Sequence, residues 1–255
     1  MKIDARLRAA SRVAGWHLLC SVALALLSAA VVLGLWYPYP YRELSGGREL
    51  FLLIIGVDVV CGPLLTLVMF NPKKSRRELG LDLGIVAALQ LCALGYGMWT
   101  TWQARPLFLA LEVDRFKVVM SADIDHGVLK DLPASLAPLP FGGVRTVALR
   151  PPKTVEEKNE VLFAAIEGGR DYAERPGFYV AYEGAAALKA LDRAKPLDAF
   201  LKKYPDQRLK VEALAREAHV AVADWKYLPV VGRQDWVALL DKDANIQGFI
   251  KGDGF

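Results

Sequence analysis

Four places in the chain bring together residue types that could do chemistry. In the second of its long apolar runs, Asp58, Gly62 and Thr66 recur every four residues, so a carboxylate, a gap and a hydroxyl share one stripe of a helix. Farther on, Asp123-Ile124-Asp125-His126 offers three metal-ligating side chains, Asp241, Asp243 and Asn245 copy the opening of a calcium loop, and His219 lies near Asp224. Neighbouring residues weaken the last three. A calcium loop needs Gly at its sixth position and a bidentate Glu at its twelfth. Ile246 and Gly252 stand there instead, so a hairpin turn is expected. The acidic triplet follows an apolar run and reads as a solvated loop rather than a metal site. Nothing orients His219 and Asp224 towards a nucleophile, and there is no glycine-rich phosphate loop, zinc spacing or serine elbow. No catalytic residue, metal ligand or cofactor is therefore expected.

The Asp58 stripe carries more weight because of where it sits. An Asp inside a membrane helix costs about 3 kcal/mol and must face protein or water. Pro63 follows Gly62 directly and leaves the Val59 carbonyl without its helical donor, so a kink or a local polar contact is expected. Three uses are open to Asp58. It can hold the bundle together by bonding a neighbouring helix, recognise another membrane helix, or move a proton or ion, for which three spans leave little room.

The elements that must position these residues divide the chain in two. Of its 255 residues 54% are hydrophobic, which is high for a soluble globular protein. The apolar residues concentrate before position 103. Residues 1–102 hold 10 Lys and Arg against 6 Asp and Glu, whereas residues 103–255 hold 22 of each, so the net charge of +4 belongs to the first part. A balanced second part has no basic footprint for nucleic acid, which is set aside as a partner. Cys20, Cys61 and Cys92 fall one in each apolar run and none lies beyond them, so no disulfide framework is expected.

The apolar runs are residues 16–36, 50–70 and 81–101. Each is roughly 20 residues, about 30 Å as a helix, which matches the hydrocarbon core of a bilayer. A cleaved signal peptide competes for the first run because Lys2, Arg6, Arg8 and Arg12 precede it. Its length and the two later spans favour a retained anchor. Lys and Arg stay on the cytoplasmic side. They crowd the leader 1–15 and the loop 71–80, which has Lys73, Lys74, Arg76 and Arg77, while the loop 37–49 has only Arg42 and Arg48. The leader and second loop are accordingly expected inside, and the first loop and residues 103–255 outside. Trp36, Tyr37, Tyr39, Tyr41, Trp99 and Trp102 fit an outer aromatic belt. Ser21, Ala25 and Ser28 in the first span and Gly84, Ala88 and Gly95 in the third suit close helix packing.

Past the third span, Arg105-Pro106 breaks the helix. Strands are expected at Leu107–Val113, Phe116–Met120, Phe178–Tyr182, Trp225–Val231, Trp236–Leu240 and Ile246–Ile250. Helices are expected from the capping box Thr154–Glu157 through Ile166, stopped by Gly168-Gly169; from Pro196 to before Pro205; and over Asp206–His219. The fold class is thus three transmembrane helices followed by a single α+β periplasmic domain over residues 103–255.

Three segments taken in order, GVDVVCGPLLTLVMFNP (Gly56–Pro72), QARPLFLALEVDRFKVV (Gln103–Val119) and EGGRDYAERPGFYVAY (Glu167–Tyr182), resemble the type IV pilin accessory proteins of the TfpX/TfpZ family over nearly the whole chain. The resemblance implies a multi-pass protein of a bacterial inner membrane that helps a cognate type IV pilin become surface pili, with inner-membrane assembly components and the lipid bilayer as further contacts. It implies no catalytic residues. Arg105 and Pro106 would set the membrane exit, and Asp114 and Arg115 would pair with each other or with the bilayer surface. The expected mechanism has the spans packing beside the apolar helix of a membrane-resident pilin, around Asp58, Gly62, Pro63 and Thr66, and the outer domain touching its head. This contact shifts the balance of pilus extension and retraction. A membrane-tethered periplasmic sensor or ligand-binding protein unrelated to pili shares the architecture and is the alternative; an envelope enzyme is a remote third.

Overall fold

Helical structure begins before the start of each of the three apolar stretches. In the computed structural model, which describes residues 2–127, 132–167 and 169–255, α1 spans Lys2–Val31 and continues as a wider π-helical turn over Val32–Trp36. A short helix, α2, covers Tyr41–Leu44; α3 spans Gly47–Met69 and α4 Arg76–Gln103. The early start of α4 has a local cause. Ser75 Oγ accepts from the Glu78 N–H at 3.2 Å while the Glu78 carboxylate accepts from the Ser75 N–H at 2.9 Å, a reciprocal cap that fixes a helix start. At the other end of α3, Arg6 donates to the carbonyls of Val68 at 3.0 Å and Phe70 at 3.4 Å, supplying the last turn with partners it lacks within the helix. All three long helices are long and apolar enough to cross a membrane.

The chain forms two compact units, residues 1–36 with 47–103, and residues 37–46 with 104–255. In the first, α3 packs against both α1 and α4. On α1 the inward stripe is small, with Ala10, Ala14 and Ser28 buried and Ser21 and Ala25 partly so, which lets the backbones come close. On α4 the contact differs from the expected one. Gly84 and Gly95 have open space around them, and it is Gly97 that admits the Ile54 side chain, whose nearest atom lies 2.4 Å from where a Cβ would sit.

The second unit is built on one mixed sheet. Its strands are β1 (Pro106–Leu111), β2 (Phe116–Met120), β3 (Arg145–Leu149), β4 (Tyr179–Ala181), β5 (Lys195–Pro196), β6 (Lys226–Val231), β7 (Trp236–Leu240) and β8 (Ile246–Lys251). They lie in the order β4-β3-β1-β2-β6-β7-β8, with β5 beside β6. The pairs β1–β3 and β2–β6 are parallel and the rest antiparallel. Helices α5 (Val155–Ile166), α6 (Gly184–Arg193), α7 (Leu197–Lys203) and α8 (Arg208–Ala218) complete the unit. Thr154 caps α5 by accepting from Glu157 N–H at 3.1 Å, but the Glu157 carboxylate reaches back one residue beyond the expected box, to the Lys153 N–H at 2.5 Å. Of the expected stop Gly168-Gly169, Gly168 lies outside the described residues.

Strand alternation separates the cores. Leu109 and Leu111 of β1 join Leu228, Val230, Trp236 and Ala238 on one face, while Phe108 and Ala110 join Val147 and Tyr179 on the other. Tyr227, Val237 and Leu239 meet Phe200, Leu201 and Val211 of α7 and α8. Both faces of β1 and β7 are buried, which explains their nearly unbroken apolar runs.

The main departure from a domain beginning at residue 103 is segment 37–46. Leu44 is fully buried among Leu109, Leu111, Phe116 and Trp236, and its carbonyl accepts from the Arg233 N–H at 2.6 Å. Tyr39 stacks edge-on with Trp236 and receives a hydrogen bond from Lys210 Nζ at 2.8 Å. Tyr41 meets Phe249, and Glu43 pairs with Lys251 at 2.8 Å. The first loop is therefore part of the domain fold and not a free connector.

Candidate functional site

In the helical unit, the stripe of Asp58, Gly62 and Thr66 lies on α3, which continues through Pro63 without interruption. Thr66 is fully buried and its Oγ1 lies 2.6 Å from His17 Nδ1 on α1. At Gly62 a Cβ would fall about 2.1 Å from the Gln90 amide of α4. The same amide donates to the Asp58 carbonyl at 2.8 Å. The gap and the hydroxyl are thus filled from within the bundle, by one polar residue from each flanking helix. Asp58 is half-buried and lines a groove of about 320 Å³ along the α3–α4 seam with Leu53, Ile54, Val57, Tyr96 and Gly97. His17 and Gln90 were not singled out from the sequence. Both were findable as strongly polar residues in otherwise apolar runs, a feature that marks cross-helix bonding in membranes.

In the domain, the residues at the end of the third span serve the start of the sheet. The Arg105 carbonyl accepts from the Ser121 N–H at 2.8 Å, and Pro106 opens β1 at an irregularity in its pairing with β2. The Arg105 side chain is buried in the same unit as Tyr37, and burial pulls its pKa below the ordinary guanidinium range against the opposing pull of Tyr37. Asp114 and Arg115 occupy the β1–β2 turn and pair with each other at 2.8 Å. The Arg115 guanidinium also lies 4.9 Å from the centre of the Phe255 ring. Their mutual hydrogen bond pulls the Asp114 carboxyl below the ordinary range and lifts Arg115.

The remaining candidate groups are engaged locally. Asp241 accepts from the N–H groups of Asp243 and Asn245 at 2.8 and 2.9 Å and from the side chains of Asn245 and Gln247 at 3.0 and 2.6 Å, the bonding of a hairpin turn. Asp123 takes the Met120 N–H and Asp125 the Gly127 N–H, both at 2.8 Å, while His126 Nε2 lies 3.1 Å from the Ser121 carbonyl. His219 ends α8 in the left-handed conformation, with φ of 54°, a common way to close a helix.

Below the β1–β2 turn a charged cluster pins the segment 170–178 to the sheet. Lys117 of β2 donates to Asp171 at 2.9 Å and Glu174 at 2.8 Å. Burial alone would lower the Lys117 pKa, but the two carboxylates raise it above the ordinary range.

The class this defines is a protein of three helices able to cross a membrane, joined to one mixed α/β domain. The family model described as "Fimbrial assembly protein FimB" matches residues 5–46. The chain is 36% identical over 252 residues to a fimbrial assembly protein of serogroup I from Dichelobacter nodosus, covering 96% of each chain. It is 34% identical over 252 residues to the serogroup E1 protein of that organism, again covering 96% of each. A protein of serogroups C1 and C2 is 39% identical over 124 residues, 49% of this chain and 92% of that one. The chain belongs to the fimbrial assembly protein family. No solved structure matches it.

Proposed function

We propose that the protein is a non-enzymatic accessory of the bacterial inner membrane that assists the assembly or surface display of a cognate type IV fimbrial subunit, the role implied by its resemblance to the TfpX/TfpZ family. One observation carries this reading. Similarity to proteins named for fimbrial assembly runs through 96% of the chain, so the helices and the domain are shared with them as a set. An outer position for the domain is supported by the basic leader and the basic loop 71–80. The folding of residues 37–46 and 104–255 as one unit adds that both share a compartment, so the domain lies on the side of the weakly basic loop 37–49.

The groove holding Asp58 is the part of the bundle that suits a passing helix. Its walls are apolar, and its one carboxylate offers a hydrogen-bond acceptor to a donor on that helix. A fimbrial subunit held there, with its head near the outer domain, enters the growing fibre more readily than it is withdrawn.

The test is deletion of the gene with surface fimbriae counted in cells that have or lack the retraction motor. Fimbriae that return when retraction is disabled support an effect on the extension–retraction balance. Fimbriae absent in both backgrounds place the role earlier, at subunit stability or entry into assembly. Unchanged fimbriae in the deletion strain overturn the proposal. Photocrosslinking from Val57 and Tyr96 addresses the contact itself, and failure to capture the subunit at either position overturns the groove as its seat.

A further inference from the structure

The segment Arg170–Phe178 builds a cleft that neither the helical bundle nor the fimbrial assignment uses. Two short 3-10 turns, Tyr172–Glu174 and Pro176–Phe178, follow one another, and the Lys117 pairing holds the first of them to the sheet. Phe178 is buried against Tyr172 with ring centres 4.8 Å apart and lines the cleft. The walls carry two guanidinium groups, each held at Nε and Nη1. Arg170 donates from Nε to the Asp123 carbonyl at 2.9 Å and from Nη1 to Asp125 at 3.5 Å. Arg175 donates from Nε to the Arg170 carbonyl at 3.4 Å and from Nη1 to Glu160 at 3.0 Å. Among the described residues, Nη2 of both is left over.

Both groups are already ion-paired, with Asp125 and Glu160, and the spare Nη2 of each is the donor a planar anion would use. The cleft measures about 320 Å³, at the small end of ligand-binding clefts and about the size of one or two amino-acid residues. Its charge narrows the choice. Asp125, Glu160 and Glu174 also line it, so a phosphate dianion or a polyanion meets three carboxylates, whereas a single carboxylate attached to amide groups is tolerated. The walls offer Arg to that carboxylate and carboxylate oxygens to the neighbouring peptide N–H.

We propose that this cleft receives a peptide carboxylate, a chain end or an acidic side chain of a protein partner, between Arg170 and Arg175. The acidic loop at Asp125 then has a role it lacked as a metal site: it orients Arg170. The inference is independent of which fimbrial subunit the protein serves and of the groove at Asp58.

The test uses the full-length protein in nanodiscs of zwitterionic lipid and three probes: acetyl-Ala-Ala with a free carboxylate, its C-terminal amide, and inorganic phosphate. Binding is followed by saturation-transfer NMR. The expected result is saturable binding of the acid in the millimolar range, at least tenfold weaker binding of the amide and of phosphate, and a tenfold or greater loss in Arg170→Gln and in Arg175→Gln. Arg216→Gln, on α8, leaves binding unchanged. Equal binding of acid and amide overturns the proposal, as does stronger binding of phosphate, or wild-type affinity in both Gln variants. Lack of saturation by the acid at on the order of 10 mM also overturns it. Should a Gln variant fail to fold, as judged by its Tm, the acid-against-amide comparison on the unaltered protein decides alone.

Discussion

At Gly62 and Gly97 the close approach of α3 and α4 rests on two hydrogens, and the two sites should respond differently to a methyl group. In Gly62→Ala the new Cβ meets the end of the flexible Gln90 side chain, which can swing aside at the loss of its bond to the Asp58 carbonyl. A loss of about 1 kcal/mol is expected, the scale of such bonds in membranes. In Gly97→Ala the Cβ meets Ile54 Cγ2, and a β-branched side chain in a helix has one strongly preferred rotamer. The expected loss is about 1–3 kcal/mol. Thermal unfolding in nanodiscs orders the two. A second prediction concerns Glu157, whose carboxyl is held at about 2, against an ordinary 4.5, by the Arg150 guanidinium and the Lys153 N–H. A depressed pKa stabilises the fold fully above the unfolded value, and that contribution disappears as the pH falls from about 4.5 to 2. The protection of α5 amides relative to their intrinsic exchange rates should therefore fall over that window, and Glu157→Gln should remove the dependence. The sequence made the Asp58 stripe and the Thr154 cap visible because both are periodic or local. The partners His17 and Gln90 lie 49 and 32 residues from their contacts, and helical spacing on one element says nothing about which residue of another will face it.

Among the elements, segment 37–46 carries the sharpest expectation. Leu44→Ala leaves a cavity in the core shared by β1, β2 and β7, and the expected cost is about 2–5 kcal/mol. Urea unfolding followed through Trp236 fluorescence measures it. A fragment of residues 104–255 should be less stable than the same fragment with residues 37–46 fused to it, and Leu44→Ala in the fused form should cancel the gain. Equal stability of the two fragments would count against the loop as part of the core. Six of the strands were readable from apolar runs and alternation, because their pattern is that of a sheet covered on one or both faces. Strands β3 and β5 and helix α6 carry no such mark. The strand Arg145–Leu149 follows a loop of Pro and Gly, and its pairing with β1 on one side and β4 on the other makes it a strand. Helix α6 is amphipathic, with Ala187 and Ala190 buried, but no side chain caps its start at Glu183, so the usual local start signal is missing. The membership of residues 37–46 was hidden for a different reason. They read as an interfacial loop because Tyr37, Tyr39 and Tyr41 suit a membrane surface as well as they suit a protein core.

For the whole molecule, the prediction is one of sidedness. With the native cysteines replaced, cysteines introduced as Ser45→Cys and at the exposed terminal Phe255→Cys should react with a membrane-impermeant maleimide in intact spheroplasts, and Lys73→Cys only after lysis. Labelling of position 73 from outside would overturn the proposed topology. The span count was legible early because lipid imposes a length that few apolar runs meet by accident, and the charge rule supplies the orientation put to this test. The use of the domain was not, since its charges are balanced and mark no one class of partner.

The joining of residues 37–46 to strands some 190 residues later also has a consequence for biogenesis. Leu44 leaves the ribosome long before Trp236, so its nonpolar side chain has no core to enter while α3 and α4 are being inserted. The domain reaches its native state only after the last hairpin, β7–β8, has been synthesised and delivered to the side where the early segment waits. A chain inserted with one helix missing would place the two parts in different compartments and leave the domain core without Leu44, hence less stable and more open to proteolysis. The fold of the domain thereby acts as a check that insertion was completed correctly.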